Sequence, residues 1–253
     1  MSQPMQSVRQ ESPAMAGLVR PVLISAVLFM VITGLLYPLV TTGISELLFP
    51  HQAQGSIITE HGTDVGSALI GQWFTQPKYF HPRPSVTTGT DPNDSSKTVD
   101  QPYNAANTSG SNLGSTSKKL IDAVAGRVGA YRKENGLGPT DLVPVDAVTA
   151  SGSGLDPDIS VANARIQAKR VAAARGISEQ LALSLVDTHT QGPQLGVFGY
   201  PRVNVLELNL ALDHLAPHRA SNSEGRPPLP ANVLPRTHSR IAPDRAAPGR
   251  SEA

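Results

Sequence analysis

Apolar and polar positions are distributed unevenly along this chain. From Pro21 to Ser45 there is no Asp, Glu, Lys, Arg or His, and Val, Ile, Leu and Phe dominate. A bilayer core of roughly 30 Å is crossed by about 20 apolar residues in a helix. Each such side chain near the bilayer centre contributes roughly −0.3 to −0.6 kcal/mol to insertion, so Val22–Val40 inserts favourably by several kcal/mol. The pattern predicts a single transmembrane helix over residues 18–45. A cleaved signal peptide has a shorter apolar run and a small-x-small cleavage site; Tyr37-Pro38-Leu39-Val40 does not look like one. A soluble core helix would keep a polar face.

Beyond the span the pattern changes to short periodic stretches. Pro50 ends the membrane helix, because the residue before a proline disfavours the helical region. Ile57-Ile58 is a candidate first strand. Ser117 to Asn135 has Leu120, Val124, Val128 and Tyr131 near helical spacing, with Ser117 as cap and Gly136 as stop. Leu142 to Thr149 reads as a strand, near an edge because of Pro144. An Ala-rich helix runs from Ser160 to about Arg175 and stops at Gly176, with Ser160 or Asp158 as cap. Ser178 caps a third helix with Leu181, Leu185 and Val186 on one face, ending before Gly192-Pro193. Leu195 to Phe198 reads as a strand or turn. Val205, Leu208, Leu212 and Leu215 make a helical stripe, whereas Leu206, Leu208, Leu210 and Leu212 alternate as in a strand. The capping box Asn204-x-x-Glu207 favours the helix. The expected fold is an α+β exported domain, residues 46–215, on a single N-terminal transmembrane helix. Residues 1–17 read as a cytoplasmic tail and residues 216–253 as a disordered, basic, Pro/Arg-rich tail.

Charge sets the orientation. Arg9 and Arg20 precede the uncharged run Pro21–Ser45, and the first Lys or Arg after it is Lys78. The positive-inside rule then places the N-terminus in the cytoplasm and the bulk of the chain outside it. The net charge of +1 across 253 residues leaves no electrostatic footprint for nucleic acid. The chain has no cysteine, which fits an exported domain without disulfides but decides little. With 22 Gly and 22 Pro, turns are numerous.

Motifs for chemistry fail when tested. A calcium loop starting at Asp91 would put Ser96 where Gly is required and Pro102 where a bidentate Glu is required, so Val86–Gly114 reads as a long turn-rich loop. Tyr103–Gly114 has the look of an anion nest, a look small polar loops share without binding anything. The loop Ala150–Ser160 lacks the Lys of a phosphate loop, the flanking glycines of a nucleophile elbow and the third Gly of a dinucleotide fingerprint. No catalytic residue, metal site or cofactor is assigned. Trp73, Phe74, Tyr79 and Phe80 cluster before a run of prolines. They read as core plugs of an aromatic-poor domain, with Tyr79 and Arg83 the exceptions that could meet a partner. Ser151, Ser153 and Asp156 complete the candidate partner contacts. Within the span, Thr33, Gly34, Thr41 and Gly43 are the small residues that let a neighbouring helix approach.

Several motifs in order resemble one family: Gly66–Gln72, Tyr79–Ser85, Tyr103–Ala106, Gly110–Gly114, Val143–Asp146, Thr149–Pro157 and Arg202–Asn209 are similar to the C subunit of the bacterial Kdp-type potassium-transporting ATPase. The resemblance covers about Val19 to Leu215 and leaves out the tail from Pro217. It implies a non-catalytic accessory subunit at the inner membrane, partnered by a potassium-pore subunit and a P-type ATPase subunit. The family is described as raising the ATP affinity of the ATPase subunit, which itself holds the ATP. The residues agree with an accessory role: there is no Asp-Lys-Thr-Gly and no Thr-Val-Gly-Tyr-Gly, and one span cannot enclose a pore. An exported domain lies opposite ATP, so any effect on ATP affinity is expected to pass through the membrane helices. The rival expectation is a membrane-anchored exported hydrolase or binding module.

Overall fold

The computed structural model describes residues 16–215. Both expected tails lie outside the described residues, apart from helical Ala16 and Gly17. The chain divides into two units, Met1–Ile57 and Ile58–Ala253.

In the first unit the apolar run is helical throughout: α1 (Ala16–Val31), a π turn (Ile32–Leu36) and α2 (Tyr37–Leu48). Gly17–Leu48 is long and apolar enough to cross a membrane, and none of its most apolar stretch is buried within the chain. Pro38 explains the π turn. It lacks an N–H, and in a regular helix its ring would meet the carbonyl four residues earlier, that of Gly34. The backbone widens just before it, so that Tyr37 N–H donates to Ile32 O. Thr33 and Thr41 turn their hydroxyls back on the helix, to Phe29 O at 2.6 Å and Tyr37 O at 2.9 Å. A Cβ added at Gly34 or Gly43 would meet nothing within 4 Å. Phe49 leaves the helical region at φ −138°, and Pro50 opens the one-turn helix α3 (Pro50–Ala53).

The second unit mixes helices with short strands, the α+β class that the pattern predicts. β1 (Ile57–Glu60) pairs with β2 (Thr63–Ser67), and β3 (Thr88–Asp91) with β4 (Asp94–Asp100). The helices are α4 (Lys118–Asn135), α5 (Val145–Val148), α6 (Val161–Arg175), α7 (Glu179–Thr188) and α8 (Val205–Leu215). β5 (Asp158–Ser160), β7 (Arg202–Asn204) and β6 (Thr190–Gln191) form an antiparallel sheet in that spatial order.

Caps fix the helix starts. Ser160 accepts Asn163 N–H at 3.1 Å, Ser178 accepts Leu181 N–H at 3.2 Å, and Asn204 accepts Glu207 N–H at 3.1 Å. The helical reading of 205–215 is therefore correct. Gly136 and Gly176 end α4 and α6 at φ +66° and +67°, where an L side chain would be strained.

Three expectations are corrected. Leu142–Thr149 is not a strand: Pro144 sits at an N-cap position and Val145–Val148 makes one helical turn. Ser117 is at the N-cap of α4, but its hydroxyl makes no capping bond. The segment 86–114 is not all loop, because β3 and β4 form a hairpin within it.

The core lies where α6, α7 and α8 meet the aromatic segment. Phe80, Leu206, Leu208, Ala164, Ala168, Val171, Ala182 and Val186 are wholly buried. The aromatic cluster does plug the core: Phe74 and Tyr79 pack with ring centroids 5.1 Å apart. Trp73, 38% exposed, stays at its margin.

Candidate partner-docking site

Four of the five sequence-predicted contact residues come together. The loop that links α5 to β5 carries Ser151, Ser153 and Asp156 and folds against residues 83–87 and 103–110, setting Asp156 beside Arg83. Arg83 Nη1 donates to Asp156 Oδ2 at 2.8 Å, with both side chains partly exposed. Asp156 Oδ1 accepts Asp158 N–H at 3.0 Å, which fixes the carboxylate. Tyr103 lies beneath, its hydroxyl 3.0 Å from Arg83 O and 3.2 Å from Asp156 O. Burial, helped by the negative charge of Asp156, pushes the phenol far above its usual value, so it stays a donor.

The two serines are used by the loop itself. Ser151 Oγ, buried, accepts Gly154 N–H at 2.9 Å, and Ser153 Oγ accepts Leu155 N–H at 3.1 Å. These are the local side-chain-to-backbone bonds that stiffen turns. Backbone groups then carry the docking. Ser85 Oγ donates to Gly154 O at 2.8 Å, Ser109 N–H to Ser153 O at 3.0 Å, and Gly71 N–H to Leu155 O at 2.9 Å. A Cβ at Gly110 would meet Gly152 O at 2.8 Å, so backbone packs directly on backbone. Gly152 and Ser153 remain exposed at the tip.

Tyr79 does not join this group. Its ring is in the core at 8% exposure, beneath the guanidinium of Arg175, and its hydroxyl donates to Asp213 at 3.1 Å. It is a packing residue, because the chain has few other large rings to fill the space between α6 and α8.

Sequence reasoning missed a buried polar framework. Phe80 and His81 lie in no strand, and no strand among the described residues pairs with them. Side-chain amides take that place. Phe80 N–H donates to Asn209 Oδ1 at 2.8 Å, and Asn209 Nδ2 returns a bond to Phe80 O at 2.9 Å. His81 N–H donates to Gln167 Oε1 at 2.7 Å, and Gln167 Nε2 returns one to His81 O at 3.1 Å. Gln167 Nε2 also reaches Asn163 Oδ1 at 2.9 Å, which Tyr131 OH approaches at 2.8 Å. Asp146 accepts both Ser160 N–H and Asn163 Nδ2, at 2.8 and 2.9 Å. Asn163 and Gln167 are four apart on α6, and Asn209 interrupts the leucines of α8. A polar side chain on an otherwise apolar helical face was the available signal.

This framework floors a cleft of about 320 Å³, walled by Trp73, Pro82, Pro84, Tyr131 and Glu134. Glu134 accepts from His81 Nδ1 at 2.7 Å, and Arg170 Nε lies 3.7 Å away. The His81 hydrogen bond, followed by the nearby positive charges and opposed by burial, holds the Glu134 carboxyl below its usual value of 4.5. A depressed carboxylate stabilises the fold fully above its unfolded value, and that contribution fades as pH falls through the folded one. Glu134→Gln is therefore expected to melt below wild type at pH 7, with the gap closing below about pH 4.5. Thermal unfolding of both proteins across pH 3–8 checks this. An equal gap at both ends would remove the ion pair as its source. Among the described residues, no group of three or more His, Asp or Glu is placed to hold a metal ion.

Comparison with known proteins adds a family. Residues 19–214 match the family described as K+-transporting ATPase, c chain (KdpC). A Rhodopseudomonas palustris BisB18 protein named potassium-transporting ATPase KdpC subunit is 55% identical over 195 residues, covering 77% of this chain and 96% of the relative. Similarly named proteins of Bradyrhizobium diazoefficiens and Methylobacterium nodulans are 55% and 54% identical. Their alignments cover 78% of this chain and 97% and 96% of theirs.

Proposed function

This chain belongs to the KdpC family, the c chains of K+-transporting ATPases, and on that premise we propose that it is a non-catalytic accessory subunit which stabilises the uptake complex from outside the cytoplasm. It spans the bacterial inner membrane once, N-terminus inside. Its partners are a potassium-pore subunit and a P-type ATPase subunit, and the ATP is held by the latter. The observation that carries the orientation is the basic asymmetry: Arg9 and Arg20 before the uncharged run Pro21–Ser45, and no Lys or Arg after it until Lys78. With the domain outside, an increase in ATP affinity travels through the membrane helices. Gly34, within the π turn, and Gly43, further along the helix, each leave the backbone uncovered, which supports close packing at either position. The back-bonded Thr33 and Thr41 present their methyl groups on the same helix without a stray donor. Outside, the exposed tip Gly152-Ser153 with the Arg83–Asp156 pair is the face offered to a partner.

A reporter active only outside the cytoplasm, fused after Leu215, is expected to be active. The tagged full chain is expected to retain both large subunits in mild detergent. A silent reporter beside an active cytoplasmic one would reverse the orientation, and a chain purified alone would end the accessory reading.

A further inference from the structure

The connection from β6 to β7 exposes apolar side chains that nothing in the fold uses. Leu195, Val197, Phe198 and Tyr200 are 90%, 78%, 65% and 86% exposed. The turn that carries them is closed. Gln194 N–H donates to Phe198 O at 2.8 Å, Phe198 N–H returns to Gln194 O at 2.9 Å, and Gly196 N–H donates to Pro193 O at 3.1 Å. Leu195 holds a left-handed φ of +53°, and Gly196 and Gly199 follow at +75° and +89°. A branched side chain in that region is strained. The fold thus bears strain to hold Leu195 outward, and the antiparallel pairing of β6 with β7 anchors the base.

We propose that this knuckle is a docking anchor that inserts into an uncharged, apolar socket on another subunit of the transport complex, outside the bilayer. The proposal rests on the accessory-subunit reading above. Area supports it. Four such side chains present on the order of 600 Å², the upper end of the largest apolar patch on an ordinary monomer and close to one side of a standard interface. Charge selects the occupant. No Lys, Arg, Asp or Glu lies between Asp187 and Arg202, and Arg202 itself is paired with Asp158 at 2.9 Å. Elements that settle on anionic headgroups carry basic residues beside their apolar ones, and this one carries none. Preorganised aromatic and aliphatic anchors in a desolvated pocket are what dominate protein interfaces.

The test uses the full chain in the assembled complex. Leu195→p-benzoylphenylalanine, irradiated in the purified complex, is expected to crosslink to one of the other subunits. Leu195→Asp with Phe198→Asp is expected to lower recovery of those subunits on the tagged chain by about tenfold, equivalent to about 1.4 kcal/mol. The melting temperature of that variant should stay at wild type, because the replaced side chains are not in the core. Crosslinks confined to lipid, or to a second copy of this chain, would overturn the proposal. So would undiminished recovery of the subunits by the double variant. If the unaltered chain retains no other subunit, the accessory reading fails along with it. If the unaltered chain retains them and only the knuckle variants behave as wild type, the knuckle alone fails.

Discussion

Asn209→Leu is expected to lower the melting temperature of the second unit by roughly 10 °C. Asn209 is 1% exposed, and its amide is the partner of both Phe80 N–H and Phe80 O. Leucine matches the volume and suits the surrounding leucines of α8, so the transfer of the side chain itself is no penalty. The loss falls on the backbone of Phe80, which is wholly buried and has no neighbouring strand to turn to. Each unsatisfied buried group costs roughly 1–3 kcal/mol, so the pair costs roughly 2–6 kcal/mol. For a domain of this size each kcal/mol moves the midpoint by about 2–4 °C. Release of the 79–87 segment would also free Arg83 from its place beside Asp156, so recovery of partner subunits should fall with stability. Thermal unfolding of the full chain in detergent is the measurement. A midpoint within about 2 °C of wild type would mean that water replaces the amide and that the clamp is not what holds the segment.

This framework also shows where legibility from sequence ends. The membrane helix was legible because hydrophobicity is additive and the run is long. The helices α4, α6, α7 and α8 were legible because their stops and most of their caps are local: Gly136, Ser160, Gly176, Ser178 and Asn204 act within three or four residues of themselves. The β3–β4 hairpin was not. Most of its positions are exposed, so Thr, Ser, Asp and Lys occupy both faces and no alternation marks the strands. The region 142–149 misled for the opposite reason. Its apolar residues do not report burial on one face, since Leu142 and Val145 are 90% and 73% exposed. Pro144 there begins a helical turn, which places Asp146 where it can accept from Ser160 and Asn163. Tyr79 was misassigned to a surface because composition cannot say which of several clustered rings faces outward.

The docking loop was half legible. Its glycines and serines announced a tight turn before a helix, and the tests for phosphate and nucleophile chemistry turned it away from catalysis. What the loop meets is set by residues far away in sequence, Ser85, Thr87 and Ser109, and no local pattern encodes such contacts. The bidentate use of Asn209 and Gln167 is non-local in the same way. A buried amide is visible in sequence only as a blemish on an apolar face, and its partner is not visible at all.

Gly154→Ala separates the loop's shape from its polarity. Gly154 adopts φ +70°, which an alanine reaches only at about 1–2 kcal/mol. An added Cβ would run into Thr87 Cγ2 and lie 2.7 Å from Ser109 O, well inside contact distance. The serine oxygen is backbone and cannot swing away, so the loop must lift. Overpacking of this kind costs roughly 1–3 kcal/mol, and the combined expectation is a loss of about 2–5 kcal/mol. Lifting the loop breaks the Ser85 Oγ to Gly154 O and Ser109 N–H to Ser153 O bonds together, and draws Asp156 away from Arg83. Gly152→Ala is the matched control. It lies two residues away in the same loop, is exposed, has no left-handed φ, and an added Cβ there meets nothing within 4 Å. It should change stability by no more than about 0.5 kcal/mol. Denaturant unfolding and subunit recovery, measured on both variants, decide the matter. Two equally mild variants would mean the loop is loosely seated, and the Arg83–Asp156 face would then be too mobile to present a fixed contact. A damaged Gly154→Ala beside an intact Gly152→Ala would tie the candidate face to the backbone fit beneath it.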